Sequence, residues 1–434
     1  MLRFGQGGCW LTEQQAGRGV FVSVSWLPWV LIALAPAALA LTTWEPAGPY
    51  NVTQGWLRLY GVAAAAIEMA VIVYSIVAGA DPLRPIAALP FWAKTALAVL
   101  LAIAIYTAVV VAPDELRGLS WTFLSIVHLA FGLAVASLAR RTDAARRLAI
   151  WNATLAGSCA YLVILVAFVA VALSSPSMDW QFFGLGGTNI RQVAFYSVVG
   201  SGAALGLALV QSDAGMRAIY VGNAAVMLAL SFWSGTRGAL LAILVAFAAG
   251  AVLLPVFRTV RAWAMLASVF AGGALLSLAG PTPNPLYGIV RLKTSSAGET
   301  PDVSSGRFDM WAGTWNAILG RPFIGHGAGQ YFAVVHDKLG GFNHPHNIVL
   351  QVLFHWGFVG GACYFALAGL VAWRAFMALK SSEPADAPAL LVGMSLLTMS
   401  LYEGALFHTY PSMMIAFALA LIIAPRREKV RIAR

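Results

Sequence analysis

Charge is what this chain has least of. Asp, Glu, Lys and Arg make up 10% of its 434 residues, against about 25% in soluble domains. Hydrophobic residues supply 60%, and the mean hydropathy is +0.79. That balance excludes a soluble globular protein and specifies an integral membrane protein. Cysteine is nearly absent. Of Cys9, Cys159 and Cys363, two fall inside apolar segments, so there is no disulfide framework. Acids are scarcer than bases, 17 against 27, and Glu68 and Glu403 are the carboxylates inside apolar runs. A proton-coupled transporter needs a row of acids with basic partners across the membrane, and no such row is present. Internal repeats are missing too. The opening residues 1–20 are too polar for a cleaved signal peptide, so the first apolar run is expected to stay in place as a span.

What the chain does have is apolar runs. A spanning helix needs about 17–25 predominantly apolar residues, fewer where the bilayer thins. Twelve segments answer to that rule: 21–41, 57–80, 91–111, 119–138, 148–173, 192–210, 218–233, 238–256, 262–279, 348–373, 390–406 and 412–424. With both termini cytoplasmic, the short inside loops collect most of the Lys and Arg, among them Arg84, Arg140, Arg141, Arg146, Arg147, Arg217, Arg258 and Arg261. The net charge of +10 is then a matter of orientation, and no nucleic-acid partner is implied. The expected fold is an all-α polytopic membrane protein of about 12 transmembrane helices. It forms a single transmembrane domain over 1–434, with one long outer loop at 280–347.

That loop exceeds the usual connection by far and is a natural place for function. Within it, Phe308, Trp311, Trp315, Ile318 and Leu319 recur at helical spacing, which predicts an amphipathic helix over 307–319 suited to a membrane interface. The Pro-, Ser- and Gly-rich stretch at 282–305 reads as a flap. Arg191 opens one span, and Arg237, in SGTRGA, opens another. A helix N-terminus joined to a guanidinium makes a phosphate site, although an arginine there also serves as a snorkelling anchor. Arg307 begins the amphipathic helix, with Asp309 or Asp302 as ordinary ion-pair partners. Arg321, in GRPFIGHGAG, reads as a charge beside a turn. His344 and His346 bracket Pro345, which keeps His344 out of any helix, and Asn347 is placed to cap the span that follows. Histidine suits proton transfer near neutral pH. H-x-H is also a metal spacing, but no third or fourth ligand stands near it in sequence, and two solvated loop histidines are the plain alternative. His326 and His408 are weaker candidates on the same side. His128 and His355 read as interhelical hydrogen bonders, and Glu68 and Glu403 as acids paired within the bundle.

These residues suit a lipid-linked pyrophosphate donor: arginines stabilise the departing charge and a histidine takes the acceptor's proton. The stretch SSGRFDMWAGTWNAILGRPFIGHGAGQY, followed by FNHPHNIVLQVLFHWGFVGG, resembles the signature region of the bacterial O-antigen ligase / O-antigen polymerase superfamily. SGTRGALLAI at 234–243 resembles its upstream Ser-Arg-Gly motif. The resemblance implies a GT-C-like, metal-independent glycosyltransferase of the bacterial inner membrane, without a cofactor and with a periplasmic active site. A ligase of this kind passes a glycan from undecaprenyl pyrophosphate to lipid A–core with inversion. Carried over, His344 becomes the favoured base or acceptor-orienting group, with His346 as the second catalytic candidate. Arg191, Arg237 and Arg307 would hold the pyrophosphate, and Asn347, Arg321 and His326 would support them. A single long arginine-bearing outer loop favours ligase over polymerase. A lipid or solute transporter is the reading from another class; it would place ionisable groups along a central cavity and show repeat symmetry.

Overall fold

The computed structural model describes residues 26–44, 61–174, 185–187, 189–281, 288, 306–339, 343–381 and 383–425. Fourteen helices longer than one or two turns are described: α1 Leu27–Thr42, α2 Val62–Val77, α3 Phe91–Tyr106, α4 Glu115–Ala139, α5 Ala144–Leu173, α6 Val193–Val210, α7 Ala214–Trp233, α8 Arg237–Leu253, α9 Val260–Ser277, α10 Arg307–Gly320, α11 Tyr331–Leu339, α12 Ile348–Lys380, α13 Ala387–Ser400 and α14 Thr409–Ile423. No strand occurs among the described residues. Each of the twelve apolar runs holds a helix, and α10 occupies the predicted amphipathic stretch. The expected flap over 282–305, with Asp302, lies outside the described residues apart from Gly288.

Among the described residues, seven helical stretches are long and apolar enough to cross a membrane: Phe91–Val111, α4, α5, Ile190–Val210, α7, α9 and α12. Four shorter apolar helices, α1, α2, α8 and α14, accompany them. Burial does not follow helix length in the bundle. Every residue of α6 up to Leu209 is buried, as are most of α13 and α14. Helix α13 packs on both α6 and α14, with α5, α7 and α8 against α6 or α13, α4 against α14, and α9 beyond α7. Helix α3 pairs with α12 at the periphery, where both remain largely uncovered within the protein. Helix α13 has 14 residues, about 21 Å at 1.5 Å per residue, against a hydrocarbon layer of about 30 Å. It ends at Ser400, earlier than the apolar run through 406 suggested. The chain then turns at 401–404 and makes a short 3-10 turn, Ala405–Phe407, before α14. An irregular backbone of this kind is tolerated where protein surrounds it, and Gly404, Ala405 and Phe407 are buried.

Four arginines expected as solvated inside charges have a second job. Arg141 donates to the carbonyls of Ala78 and Gly79 at the end of α2. Arg217 donates to Gln211 and Ser212 after α6, and Arg258 to Ala251 and Val252 at the end of α8. Arg147, 1% exposed, reaches Leu421 at 2.6 Å and Ala424 at 2.8 Å at the end of α14, with Asp386 at 3.5 Å. Each guanidinium thus meets the negative end of a helix whose last carbonyls lack intrahelical partners. The N-termini of α6, α8 and α14 meet at the opposite end of the bundle, with the start of α2 at Gly61 against Thr409 of α14. Within the bundle, Glu68 of α2 accepts from His128 Nδ1 of α4 at 2.8 Å, the interhelical pairing expected of both.

Candidate functional site

A broken helix and the turn that mends it hold the site in place. Helix α12 is interrupted at Gly357, whose φ of 63° and ψ of −167° are non-helical. A break leaves carbonyls on one half and N–H groups on the other without partners. The segment Pro322–Gly327 supplies both kinds. The N–H of His326 donates to Phe354 at 2.8 Å and that of Gly327 to His355 at 2.9 Å. Phe358 N–H donates to Pro322 at 2.6 Å, and Val359 N–H to Phe323 at 3.2 Å. Gly325 (φ 72°) backs onto His355 and Gly357, and Gly357 onto Phe323, so close that a Cβ at either would collide with backbone. Gln330, fully buried, pairs with both backbone groups of Asp114 and ties the same segment to the start of α4.

The His-Pro-His turn sits above this joint. Trp311 Nε1 of α10 donates to the Pro345 carbonyl at 2.9 Å. Asn347 caps α12 as expected, its side chain accepting from the N–H groups of Val349 and Leu350. His344 is not a solvated loop residue. It is 5% exposed, stacked on Phe407 with centroids 4.1 Å apart and pressed against Gly404. His346, half-buried, has a φ of 53°, the one positive φ at a non-glycine among the described residues. Strain of this sort is retained where the surroundings over-determine a conformation, commonly at functional sites. The rings of His344 and His346 lie 4.0 Å apart, and His408 stands 5.5 Å from His344. His346 N–H donates to Nδ1 of His344 at 3.2 Å, which puts the His344 proton on Nε2. His346 Nδ1 lies 3.5 Å from the Glu403 carbonyl. Only a protonated Nδ1 makes that bond, so the lone pair of neutral His346 is on Nε2.

The arginines come to the same end of the bundle. Arg191 lies in the 3-10 turn Ile190–Gln192 that opens α6, with the Asn189 side chain accepting its N–H. Its carbonyl accepts from Thr236, the residue before Arg237, so the two arginines stand at adjoining helix starts. Arg307 begins α10, and its Nη2 lies 2.9 Å from Oε1 of Glu403. That partner stands in place of the local Asp309 considered from sequence, while Asp302 lies outside the described residues. Glu403 also lies beyond the end of α13, not inside a span, with its carboxylate against Gly238 in the first turn of α8.

The histidines are held neutral. Burial, then the neighbouring His346, His408 and His355 rings and the Arg307 guanidinium, push the His344 ring well below its ordinary value. Burial and the positive charge of Arg307 bring His346 down to about 4. Burial, then His346, bring His408 to about 3. At neutral pH each is an uncharged ring beside guanidinium groups. An anion that entered among those groups would offset their charge and raise the histidines' proton affinity.

His326 and Arg321 are not drawn into this cluster by their bonds. His326 Nε2 donates to the Ala317 carbonyl at 2.8 Å and its ring stacks on Phe354; it joins α10 to α12. Arg321 is exposed and touches the Val111 carbonyl at 3.5 Å. The cluster contains residues that sequence reasoning passed over or ranked low. His408 accepts from Gln192 Nε2 at 3.4 Å, and a cavity of about 20 Å³ beside them, lined also by Tyr196 and Tyr410, has room for a water and none for a sugar. Among the described residues no group of three or more His, Cys, Asp or Glu forms a metal-binding set.

Residues 222–365 match the family model described as O-antigen ligase. The matched stretch runs from α7 into α12 and contains Arg237, Arg307, His344 and His346, but not Arg191, Glu403 or His408. No curated protein matches the chain.

Proposed function

We propose that this member of the O-antigen ligase/polymerase superfamily is a ligase. It would be an inverting, metal-independent glycosyltransferase that moves a glycan from undecaprenyl pyrophosphate to lipid A–core at the periplasmic face of the bacterial inner membrane. The membrane topology that goes with this reading is twelve spans in one domain, both termini cytoplasmic, and 280–347 as a periplasmic insertion. What carries the reading is the meeting of Arg191, Arg237 and Arg307 with the His344–His346 pair at one end of an apolar helix bundle, within and beside the family-matched stretch.

The geometry supports the following chemistry. The acceptor hydroxyl attacks the anomeric carbon as the bond to the pyrophosphate oxygen breaks. Arginines at two helix starts and Arg307 take up the charge that grows on the leaving pyrophosphate. The hydroxyl proton passes to Nε2 of His346, the nitrogen left with the lone pair by the bond to Glu403. His344, its Nδ1 engaged by the His346 N–H, fixes the ring that does this. In this reading both histidines named from sequence are given a part, with the proton transfer assigned to His346.

The test is ligation by purified protein in detergent, with undecaprenyl-pyrophosphate-linked glycan, lipid A–core and EDTA. Glycan-capped lipid A–core from wild type, lost in His346→Ala, His344→Ala, Arg191→Ala and Arg307→Ala, is the expected result. A longer lipid-linked chain with lipid A–core untouched makes the protein a polymerase. No product at all from folded protein returns the transporter reading.

A further inference from the structure

We infer that Glu403 is a positioning residue that sets the Arg307 guanidinium for the donor's pyrophosphate. This rests on the reading that the arginine cluster receives a pyrophosphate. Glu403 meets Arg307 through one nitrogen, Nη2, at 2.9 Å, with side chains 21% and 13% exposed for Arg307 and Glu403. A single contact at one corner of the fork fixes its direction and leaves the remaining N–H groups for a second anion.

Glu403 is itself fixed. Its N–H donates to Met399 at 2.7 Å. The neighbouring Tyr402 hydroxyl donates to the Gly238 carbonyl at 2.8 Å. Its Oε1 lies 2.7 Å from where a Cβ on Gly238 would be, so the glycine is what admits the carboxylate to the first turn of α8. The positive end of that helix favours an anion there. The same turn also controls the histidines: the Glu403 carbonyl takes His346 Nδ1–H, and Gly404 seats the His344 ring. One turn, outside the family-matched stretch, thus connects the cation that would meet the donor to the base that would meet the acceptor.

Two other roles for the carboxylate give opposite results in one experiment. A competing internal anion would make pyrophosphate bind more tightly once neutralised, and a general base would lower kcat with KM unmoved. The full-length protein in detergent is compared as wild type, Glu403→Ala, Glu403→Gln, Arg307→Ala and the Arg307→Ala/Glu403→Ala double variant. Inorganic pyrophosphate binding is measured by calorimetry, and KM for each substrate and kcat by ligation. Positioning predicts that Glu403→Ala weakens pyrophosphate binding and raises the donor KM by about tenfold each, with the acceptor KM unchanged. Glu403→Gln, which keeps an oxygen for Nη2, loses less. In pyrophosphate binding, the double variant is within about twofold of Arg307→Ala alone, because Glu403 acts through Arg307. Multiplied losses in the double variant, tighter pyrophosphate binding in Glu403→Gln, or a kcat loss at constant donor KM would each overturn the assignment. If Glu403→Ala does not fold, the near-isosteric Gln variant carries the comparison. Wild type that binds pyrophosphate in this pattern yet ligates nothing defeats the ligase reading alone; wild type that binds no pyrophosphate defeats both.

Discussion

Trp311 and Pro345 lie 34 positions apart, yet the indole N–H of the first donates to the carbonyl of the second at 2.9 Å. The amphipathic helix α10 is therefore more than a membrane-surface element. Its buried face (Met310, Thr314, Ile318) packs toward Tyr331 and Phe354, and its indole pins the turn on which His346 takes a positive φ. Trp311→Phe keeps the ring and loses the bond. The net worth of one such bond is about 1 kcal/mol, so the melting midpoint is expected to fall by about 2 °C. The ligation rate is expected to fall further, by about tenfold or more, because a small displacement of a reacting group is amplified in the transition state. Midpoint and kcat measured on the same preparation check this; equal, slight effects on both would sink it.

Gly357 sits where α12 breaks, and its hydrogen has the Phe323 carbonyl against it. A side chain here must adopt a φ of 63° and push away the segment that mends the helix. Gly357→Ala is expected to destabilise by about 3 kcal/mol or more, seen as loss of folded protein from the membrane. Gly369, in the regular part of the same helix, meets nothing within 4 Å. Gly369→Ala is the matched control and should be neutral or slightly stabilising.

Much of the bundle was legible in the sequence, since an apolar run of spanning length leaves a helix as the economical backbone. The ends were less so. In 390–406 the residues Leu401, Tyr402, Ala405 and Leu406 are as apolar as the helix before them, so nothing in composition marks the turn that carries Glu403. The break in α12 lies between Trp356 and Phe358 and is hidden for the same reason. Arg307 was read against Asp309 and Asp302 because sequence displays near neighbours; its partner is 96 positions away. Of the cluster itself, Arg191, Arg237, His344 and His346 were visible as polar residues near the ends of apolar runs, and Arg307 as the start of the amphipathic helix. His408 carried the same signal more faintly, Gln192 carried little, and His326 proved to be a helix joint.

Arg147 tests the claim that these arginines close helix ends. It is buried, with two carbonyls of the α14 terminus and Asp386 around it. Removing one member of a buried charged set costs about 3–5 kcal/mol. Arg147→Ala is therefore expected to be strongly destabilising in detergent unfolding. Arg258→Ala, made at an exposed helix end, is expected to cost a few tenths of a kcal/mol, about the lower end of a screened helix-dipole contact. Similar costs at both sites would mean that burial of Arg147 carries no special weight.

The histidines give the pH dependence its sign. In the fold, His346 titrates at about 4 and His408 at about 3, whereas an unfolded chain takes up these protons at about 6.5. Protons are thus bound by the unfolded state first. The stabilising contribution is whole above about pH 6.5 and is lost as pH falls toward 4 and then 3. The same depression fixes the kinetics. A base that must be neutral is already neutral throughout the range above about pH 5, so kcat/KM, which reports the free enzyme, is expected to stay level from about pH 5.5 to 8 and to fall only below that. The kcat profile reports the donor complex, where pyrophosphate charge beside Arg307 raises the histidine's affinity for protons, so its acid limb is expected at higher pH than that of kcat/KM. Initial rates across this range, on protein shown to remain folded at each pH, decide the matter. Coincident limbs near 6.5 in both profiles would show a histidine that titrates as if in water, and would overturn the buried, uncharged setting argued for His346.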